Sequence, residues 1–397
     1  MSDADVLVIG AGLVGLATAW KIQHRFPQAR VVVLEKEDRV GAHQSSRNSG
    51  VLHAGLYYRP GSYKACLAVR GIRQMVAFCE KEGLPYEVCG KIVVATRPEE
   101  LRRLDELFQR GIANGLRGLR KLNIHQMRQI EPHVGGLAAI HVPEEGIVDF
   151  GMVCERLAEH VQEGGGRVEL QAEVFAISRR SGEWVVETTR GTFIGRWLIN
   201  CGGLYTDRIA RMAGLRPTTR IIPFRGEYHR LKPHRQHLVR NLIYPVPDPR
   251  FPFLGVHFTR LIHGGIEAGP NAVLAFAREG YRFWQIRLPD LLESLSFPGL
   301  WRFLFRYPQM VKTELLQSLI PSRFYRALQR LVPEVQPEDF ERGGSGVRAQ
   351  AMRPDGTLVE DFEIVRAEHA LHVLNAPSPA ATASLAIGEH IATEVEL

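Results

Sequence analysis

Two apolar runs near the start set the reading of this chain. Val6-Leu7-Val8-Ile9 ends at Gly10, and Val31-Val32-Val33-Leu34 is closed by Glu35. Runs of this length bounded by turns read as buried strands, with a helix between them. Further along, the pattern predicts helices over 62–82, 98–114 and 150–163, strands over 91–95 and 167–178, and a hairpin of 183–189 with 191–200. The second hairpin strand runs straight into Asn200-Cys201-Gly202-Gly203, as strands do at the ligand-binding edge of a parallel α/β sheet. Residues 216–290 are richer in proline, aromatics and histidine, with several strand-like runs, and helical periodicity takes over at 290–332. Glycines return from Gly343, followed by a strand over 370–374, the loop Asn375-Ala376-Pro377-Ser378-Pro379 and a final helix over 381–394. The expected fold is α/β. A Rossmann-type nucleotide domain is assembled from 1–85, 146–215 and 335–397, and an α+β substrate domain from 86–145 and 216–334.

The first turn carries chemistry. Gly10-Ala11-Gly12-Leu13-Val14-Gly15 has the G-x-G-x-x-G spacing between strand and helix, with Glu35 about 20 residues on. Gly10 permits the tight turn, Gly12 lets backbone approach a pyrophosphate, and Gly15 lets the helix pack closely on the strand. Glu35 is placed to accept bonds from a ribose hydroxyl pair. The helix N-terminus supplies unpaired N–H groups and partial positive charge for the phosphates.

At 397 residues the chain exceeds the usual limit of one core. Its 45% apolar and 23% charged residues fit a soluble globular protein. A net charge of +7 would suit nucleic acid, anionic lipid or an anionic substrate. The basic residues are spread out, with no zinc-finger spacing or aromatic RNA-binding signature, so nucleic acid is not expected as a partner. Five scattered cysteines without a C-x-x-C pair read as reduced thiols, not as a metal site or disulfide frame. No apolar run is long enough to span a bilayer. With the first strand this early, no signal peptide is expected ahead of it. The expected location is cytoplasmic, with peripheral contact on the inner face of the cell membrane left open.

A nicotinamide enzyme normally keeps its dinucleotide fold continuous. Here small, polar turns recur at 45–50, 201–203, 343–346 and 376–382, as needed to wrap the longer FAD. Gln44-Ser45-Ser46-Arg47-Asn48-Ser49-Gly50, Asn200-Cys201-Gly202-Gly203-Leu204-Tyr205-Thr206-Asp207 and the 377–382 tail resemble the FAD-dependent D-amino-acid-oxidase-like superfamily. Within it, Ser49-Gly50-Val51-Leu52-His53-Ala54-Gly55-Leu56-Tyr57-Tyr58, Gly255-Val256-His257-Phe258-Thr259-Arg260 and Glu267-Ala268-Gly269-Pro270-Asn271-Ala272-Val273 resemble the L-2-hydroxyglutarate oxidase/dehydrogenase family. His263 departs from that pattern, which has an acid there. The resemblance implies FAD as cofactor. Lys36 would accompany Glu35, and Ser45, Arg47, Asn48 and Ser49 would line the pyrophosphate and flavin. The Val174 backbone would meet the adenine, and Cys201 and Gly202 would flank the ribityl region. Gly346 would approach the flavin, while Ser378, Ala381 and Thr382 would face its pyrimidine. A helix start at that last place suits the negative charge a reduced flavin gathers near N1 and O2.

The implied reaction oxidises L-2-hydroxyglutarate to 2-oxoglutarate by hydride transfer. An amino-acid or amine oxidase of the same superfamily and a non-catalytic flavin electron carrier are the alternatives. A dicarboxylate needs cationic partners, which arginine supplies best through its fork and permanent charge. Arg348 and Arg225 are assigned to the two ends of the substrate, Arg348 nearer the flavin. His257 is the preferred acceptor of the hydroxyl proton, with His53 as a flavin neighbour that polarises the substrate. Tyr57, Tyr58, Tyr63 and Lys64 are expected to close the pocket. A quinone or oxygen would take the electrons. Alternating aromatics, leucines and arginines at 290–332 suit an interfacial helix on anionic lipid, or helices that pack on their own domain.

Overall fold

The computed structural model describes residues 3–248 and 254–397. Strand Ala4–Ile9 lies at the centre of an eight-stranded sheet, parallel to Val31–Leu34 on one side and to Gly191–Asn200 on the other. Arg167–Glu169 continues the parallel order beyond Val31–Leu34, and Ala370–Asn375 continues it beyond Gly191–Asn200. The chain therefore winds outward on one side of Ala4–Ile9 and returns on the other. That reversal opens the crevice in which doubly wound sheets bind ligands.

Helices Leu13–Arg25 and Ala380–Thr393 cover this sheet, burying Leu16, Ala17 and Ile22 with Ala383, Ala386 and Ile387 in one core. They touch closely because Gly388 lacks a side chain: a Cβ there would lie 2.6 Å from the Ala17 backbone. Helix Tyr63–Glu82 is capped by the Ser62 hydroxyl, which accepts from Ala65 N–H, and closed by left-handed Gly83.

A second sheet of nine strands forms the other layer. Leu242–Pro245 pairs in parallel with Lys91–Ala95, so the pieces 86–145 and 216–334 share one sheet. Arg220–Leu231 pairs antiparallel along nearly its whole length with Phe340–Met352. That pairing corrects the sequence reading, which places all of 335–397 with the nucleotide layer. A ladder of matched long strands outweighs chain proximity to the final helix, and only Glu363–Ala367 onward returns to the first sheet.

Two further corrections are local. The strand expected over 167–178 breaks into Arg167–Glu169 and Val174–Arg180, because Gln171 turns the chain with φ of 58°. Helical residues from 288 to 329 form four short helices, Leu288–Leu295, Pro298–Arg306, Pro308–Leu319 and Pro321–Gln329. The last three each start on a proline, which lacks the N–H needed to continue a preceding helix.

Candidate active site

One cavity of about 1160 Å³ follows the crevice from Glu35 and Val174 to His257 and Arg348. At its first end the glycine turn is held by close contacts. A Cβ on Gly15 would lie 1.9 Å from the Gly10 carbonyl oxygen, and one on Gly10, whose φ is +103°, 2.5 Å from the Cys201 carbonyl oxygen. The Glu35 carboxylate accepts from Ala11 N–H at 2.8 Å and from Glu37 N–H at 3.0 Å, so it braces the turn while lining the cavity. Each oxygen keeps a second lone pair for a hydroxyl donor. Lys36 forms an ion pair with Glu279 at 2.5 Å and another with Glu37. Burial alone would lower its pKa, but these two partners raise it. Val174 and its neighbours Ala172, Glu173 and Phe175 complete the wall.

The middle of the cavity is shaped by the 44–50 loop. Ser45 Oγ accepts from Leu13 N–H at 2.9 Å, joining this loop to the first helix N-terminus. Asn48 donates to the Gln44 and Ser45 carbonyls and accepts from Gly50 N–H, so its amide shapes the loop. The Arg47 guanidinium lies over the Tyr281 ring at 4.2 Å. A Cβ on Gly346 would lie 2.3 Å from the Arg47 carbonyl oxygen, so that glycine lets the two layers close on each other. Cys201 N–H donates to Ile9 O, Gly202 N–H donates to Asn200 Oδ1, and burial pushes the Cys201 thiol up to about 12. Ser49, Ser378 and Ala381 line the same space. Thr382 does too, but its hydroxyl is engaged by backbone: it accepts from His53 N–H at 3.1 Å and donates to Val51 O at 3.2 Å.

Side chains from several distant segments form the far end. His53, Tyr57, Tyr58, Tyr228, Tyr244, His257 and Arg348 all line it. His257 Nδ1 lies 2.9 Å from the Gly255 carbonyl oxygen, which fixes that nitrogen as the donor and leaves Nε2 as the acceptor. Its ring stacks on Tyr244 at 3.8 Å. Burial, followed by the charges of His53, Arg348 and Lys91, drives the His257 pKa down to about 3. An imidazole so reluctant to protonate is a weak proton acceptor at neutral pH, against the expectation for this residue. Arg348 donates to the Asn271 carbonyl at 3.4 Å.

Two expectations are not met. Arg225 is buried outside the cavity wall and donates to Glu227 at 3.0 Å. Residues i and i+2 share one face of a strand, so Glu227 in the sequence is the signal that this charge is already matched. Tyr63 is 57% exposed at the start of its helix, packs on His390 and does not line the cavity. His263 also stays off the cavity wall and bonds Asp149 at 2.7 Å. Lys64, its pKa lowered to about 8 by burial, does line the cavity, as do Tyr57 and Tyr58 from the same expected set.

The residues fit FAD. A helix N-terminus stands at the glycine turn, with an acid beside it for a ribose. A second, 14-residue helix begins at Ala380 beside Ser378, where negative charge on a flavin pyrimidine would be favoured. Residues 5–394 match the family model described as FAD dependent oxidoreductase. The L-2-hydroxyglutarate dehydrogenase of Indibacter alkaliphilus is 49% identical over 387 residues, covering 97% of each chain. That of Escherichia coli K12 is 43% identical over 99% of this chain and 93% of the relative. In fold, the chain is similar to L-alpha-glycerophosphate oxidase from Mycoplasma pneumoniae, with a TM-score of 0.80, 22% identity and coverage of 100% and 96%. Glycine oxidase from Geobacillus kaustophilus gives 0.74 and 18%, with the same coverage. With a match running from the first strand to the last helix, the chain belongs to the FAD-dependent oxidoreductases, and FAD is its cofactor.

Proposed function

We propose that the enzyme oxidises L-2-hydroxyglutarate to 2-oxoglutarate. The observation that carries this reading is the convergence of Arg348, His53 and His257 on one end of the cavity, in a chain whose relatives bear that activity in their names. Bound FAD supplies a hydride acceptor for the carbinol carbon. Arg348 holds a substrate carboxylate through its fork, fixing which hydrogen faces the flavin. His53, the other imidazole lining this end, takes the hydroxyl proton. His257, kept neutral by burial, lines this end of the cavity without taking the proton. Tyr57, Tyr58 and Tyr244 exclude water around these groups.

The test is anaerobic addition of L-2-hydroxyglutarate, its D-enantiomer, L-malate and L-glutamate to the flavin-loaded protein. L-2-hydroxyglutarate should bleach the flavin band near roughly 450 nm fastest. An unreduced flavin overturns the proposal, and bleaching by the amino acid alone would make the enzyme an amino-acid oxidase.

The electron acceptor is proposed to be a quinone reached from an anionic membrane surface. Helix Leu288–Leu295 is inverted: Asp290 and Ser294 are buried, whereas Leu288 and Leu292 are 66% and 64% exposed. Its polar face is held by Arg208, which donates to Asp290 and Glu293. Trp284 and Phe305 are 81% and 79% exposed, and Arg282, Arg287, Arg302 and Arg306 lie close to them in sequence. Arg287 and Arg306 also line the cavity, so this surface adjoins its mouth. Apolar side chains ringed by arginine suit the boundary of an anionic bilayer. No helix among the described residues is long and apolar enough to cross a membrane. The rest of the 290–332 segment packs inward through Leu300, Phe303, Met310, Phe324 and Leu328.

A further inference from the structure

Behind the histidines lies a charged pair that the reaction described so far does not use. The Lys91 ammonium and the Glu145 carboxylate are fully buried and 2.5 Å apart, and neither lines the cavity. Burying two charges costs several kcal/mol each, and well-packed apolar residues usually serve stability as well or better. The pair therefore calls for a reason other than stability. Its surroundings supply one. Glu145 Oε1 accepts from Ala54 N–H at 3.1 Å, one residue beyond His53, and Glu145 Oε2 faces His53 Nδ1 at 3.6 Å. Lys91 Nζ sits over the rings of Tyr57 and Tyr244, at 4.6 and 4.8 Å. Tyr244 in turn stacks on His257.

We propose that Glu145, kept ionised by Lys91, is a positioning residue for His53; this rests on the reading that His53 takes the substrate proton. The carboxylate holds the ring with its proton on Nδ1, leaving Nε2, across the ring, for the cavity that His53 lines. When the substrate O–H bond breaks, the proton forms an N–H bond at His53 Nε2. The C–H electron pair leaves with the hydride to FAD. The resulting imidazolium is then stabilised by the carboxylate behind it, in the manner of carboxylate–histidine pairs elsewhere. Lys91 has a separate task. Burial alone would raise the Glu145 pKa, but Lys91, followed by His53, holds it at about 2. The carboxylate consequently stays an acceptor and does not take the proton itself. The other titratable or charged groups turned toward this corner are His257, Arg348, Tyr57, Tyr58 and Tyr244.

The experiment follows flavin reduction by L-2-hydroxyglutarate against pH in flavin-loaded Glu145→Gln. The rate at neutral pH should fall on the order of 10²-fold, with KM little changed. The pH limb of the rate should differ from that of the wild type. Glu145→Asp should recover part of both. Because Glu145→Gln leaves Lys91 unpaired, the double variant Glu145→Gln/Lys91→Met removes both charges and should show the same loss. A wild-type rate and pH limb in either flavin-loaded variant overturns the proposal. Nitrogen-15 NMR of histidine-labelled wild-type holoenzyme decides even if neither variant loads flavin. His53 should carry its proton on Nδ1, and the Nε2-protonated tautomer overturns the proposal. His53→Asn separates the two levels. Unchanged reduction in that variant removes His53 as the base, whereas lost reduction beside silent Glu145 variants removes only the role given to Glu145.

Discussion

The two ends of the cavity are built on opposite plans. At the glycine turn, the groups that meet a ligand are mainly backbone atoms and one acid, within the 26 residues from Gly10 to Glu35. Close contacts that only glycine allows keep that end rigid. At the far end the groups are side chains from strands and loops of both layers, packed against one another. The first plan fixes a cofactor shared by many reactions. The second selects one reaction, because charge, tautomer and basicity all depend on what lies behind each side chain.

That contrast can be broken or sharpened by substitution. The largest effect is expected at the far end. Arg348→Ala should keep the flavin but lower kcat/KM on the order of 10³-fold, since a substrate carboxylate would lose its charge-assisted partner. Arg348→Lys should also lose most turnover, because an ammonium cannot reproduce the fork. Steady-state kinetics on flavin-loaded protein check both, and near-normal activity would remove Arg348 from the site. At the other end, Gly15→Ala should do the reverse. Its Cβ would meet the Gly10 carbonyl oxygen, a backbone atom with little freedom to move, at a cost of about 1–3 kcal/mol. FAD content of the purified protein should fall, measured against the protein band, while the reduction rate per bound flavin stays near wild type.

A smaller effect concerns pH and stability. Burial holds the His257 and His372 pKa values down, to about 3 and about 4. The unfolded chain takes up protons near pH 6.5 that the folded chain refuses. Stability from this source is therefore complete above about pH 6.5 and is lost as pH falls from there toward 4 and 3. The urea midpoint should drop over that window. His372→Gln should remove on the order of 2 kcal/mol of the drop without touching the cavity. The smallest effect on chemistry is expected at the inverted helix. Leu292→Glu with Phe305→Glu should abolish co-sedimentation with phosphatidylglycerol vesicles and leave reduction by substrate unchanged. Unaltered vesicle binding would end the membrane reading.

Much of the nucleotide end is legible in the sequence because its determinants are local. Turn glycines, an apolar run on either side and an acid at a set distance specify backbone geometry with no distant partner. The helix starts at 63 and 380 are legible for the same reason, from Ser62 and the Pro377-Ser378-Pro379 loop. The reaction end is only partly so. His53, His257 and Arg348 stand out by their motifs, yet the spacing does not tell which of them is basic. Arg225 looks equivalent to Arg348 in sequence, and only strand register, which puts Glu227 on its face, separates them. Lys91 and Glu145 lie more than 50 residues apart in ordinary strand and turn contexts, and neither carries a local sign of its role.

The sequence by itself therefore determined the order of elements, the dinucleotide cradle and the set of residue types able to bind an anionic substrate. Tertiary structure decided sheet membership of Phe340–Met352, the inversion of helix Leu288–Leu295 and the burial that lowers the His257 pKa. The physical reason is the same in each case. Backbone conformation follows from neighbours along the chain, whereas burial, register and the field at a titrating group come from residues brought close only when the chain has folded.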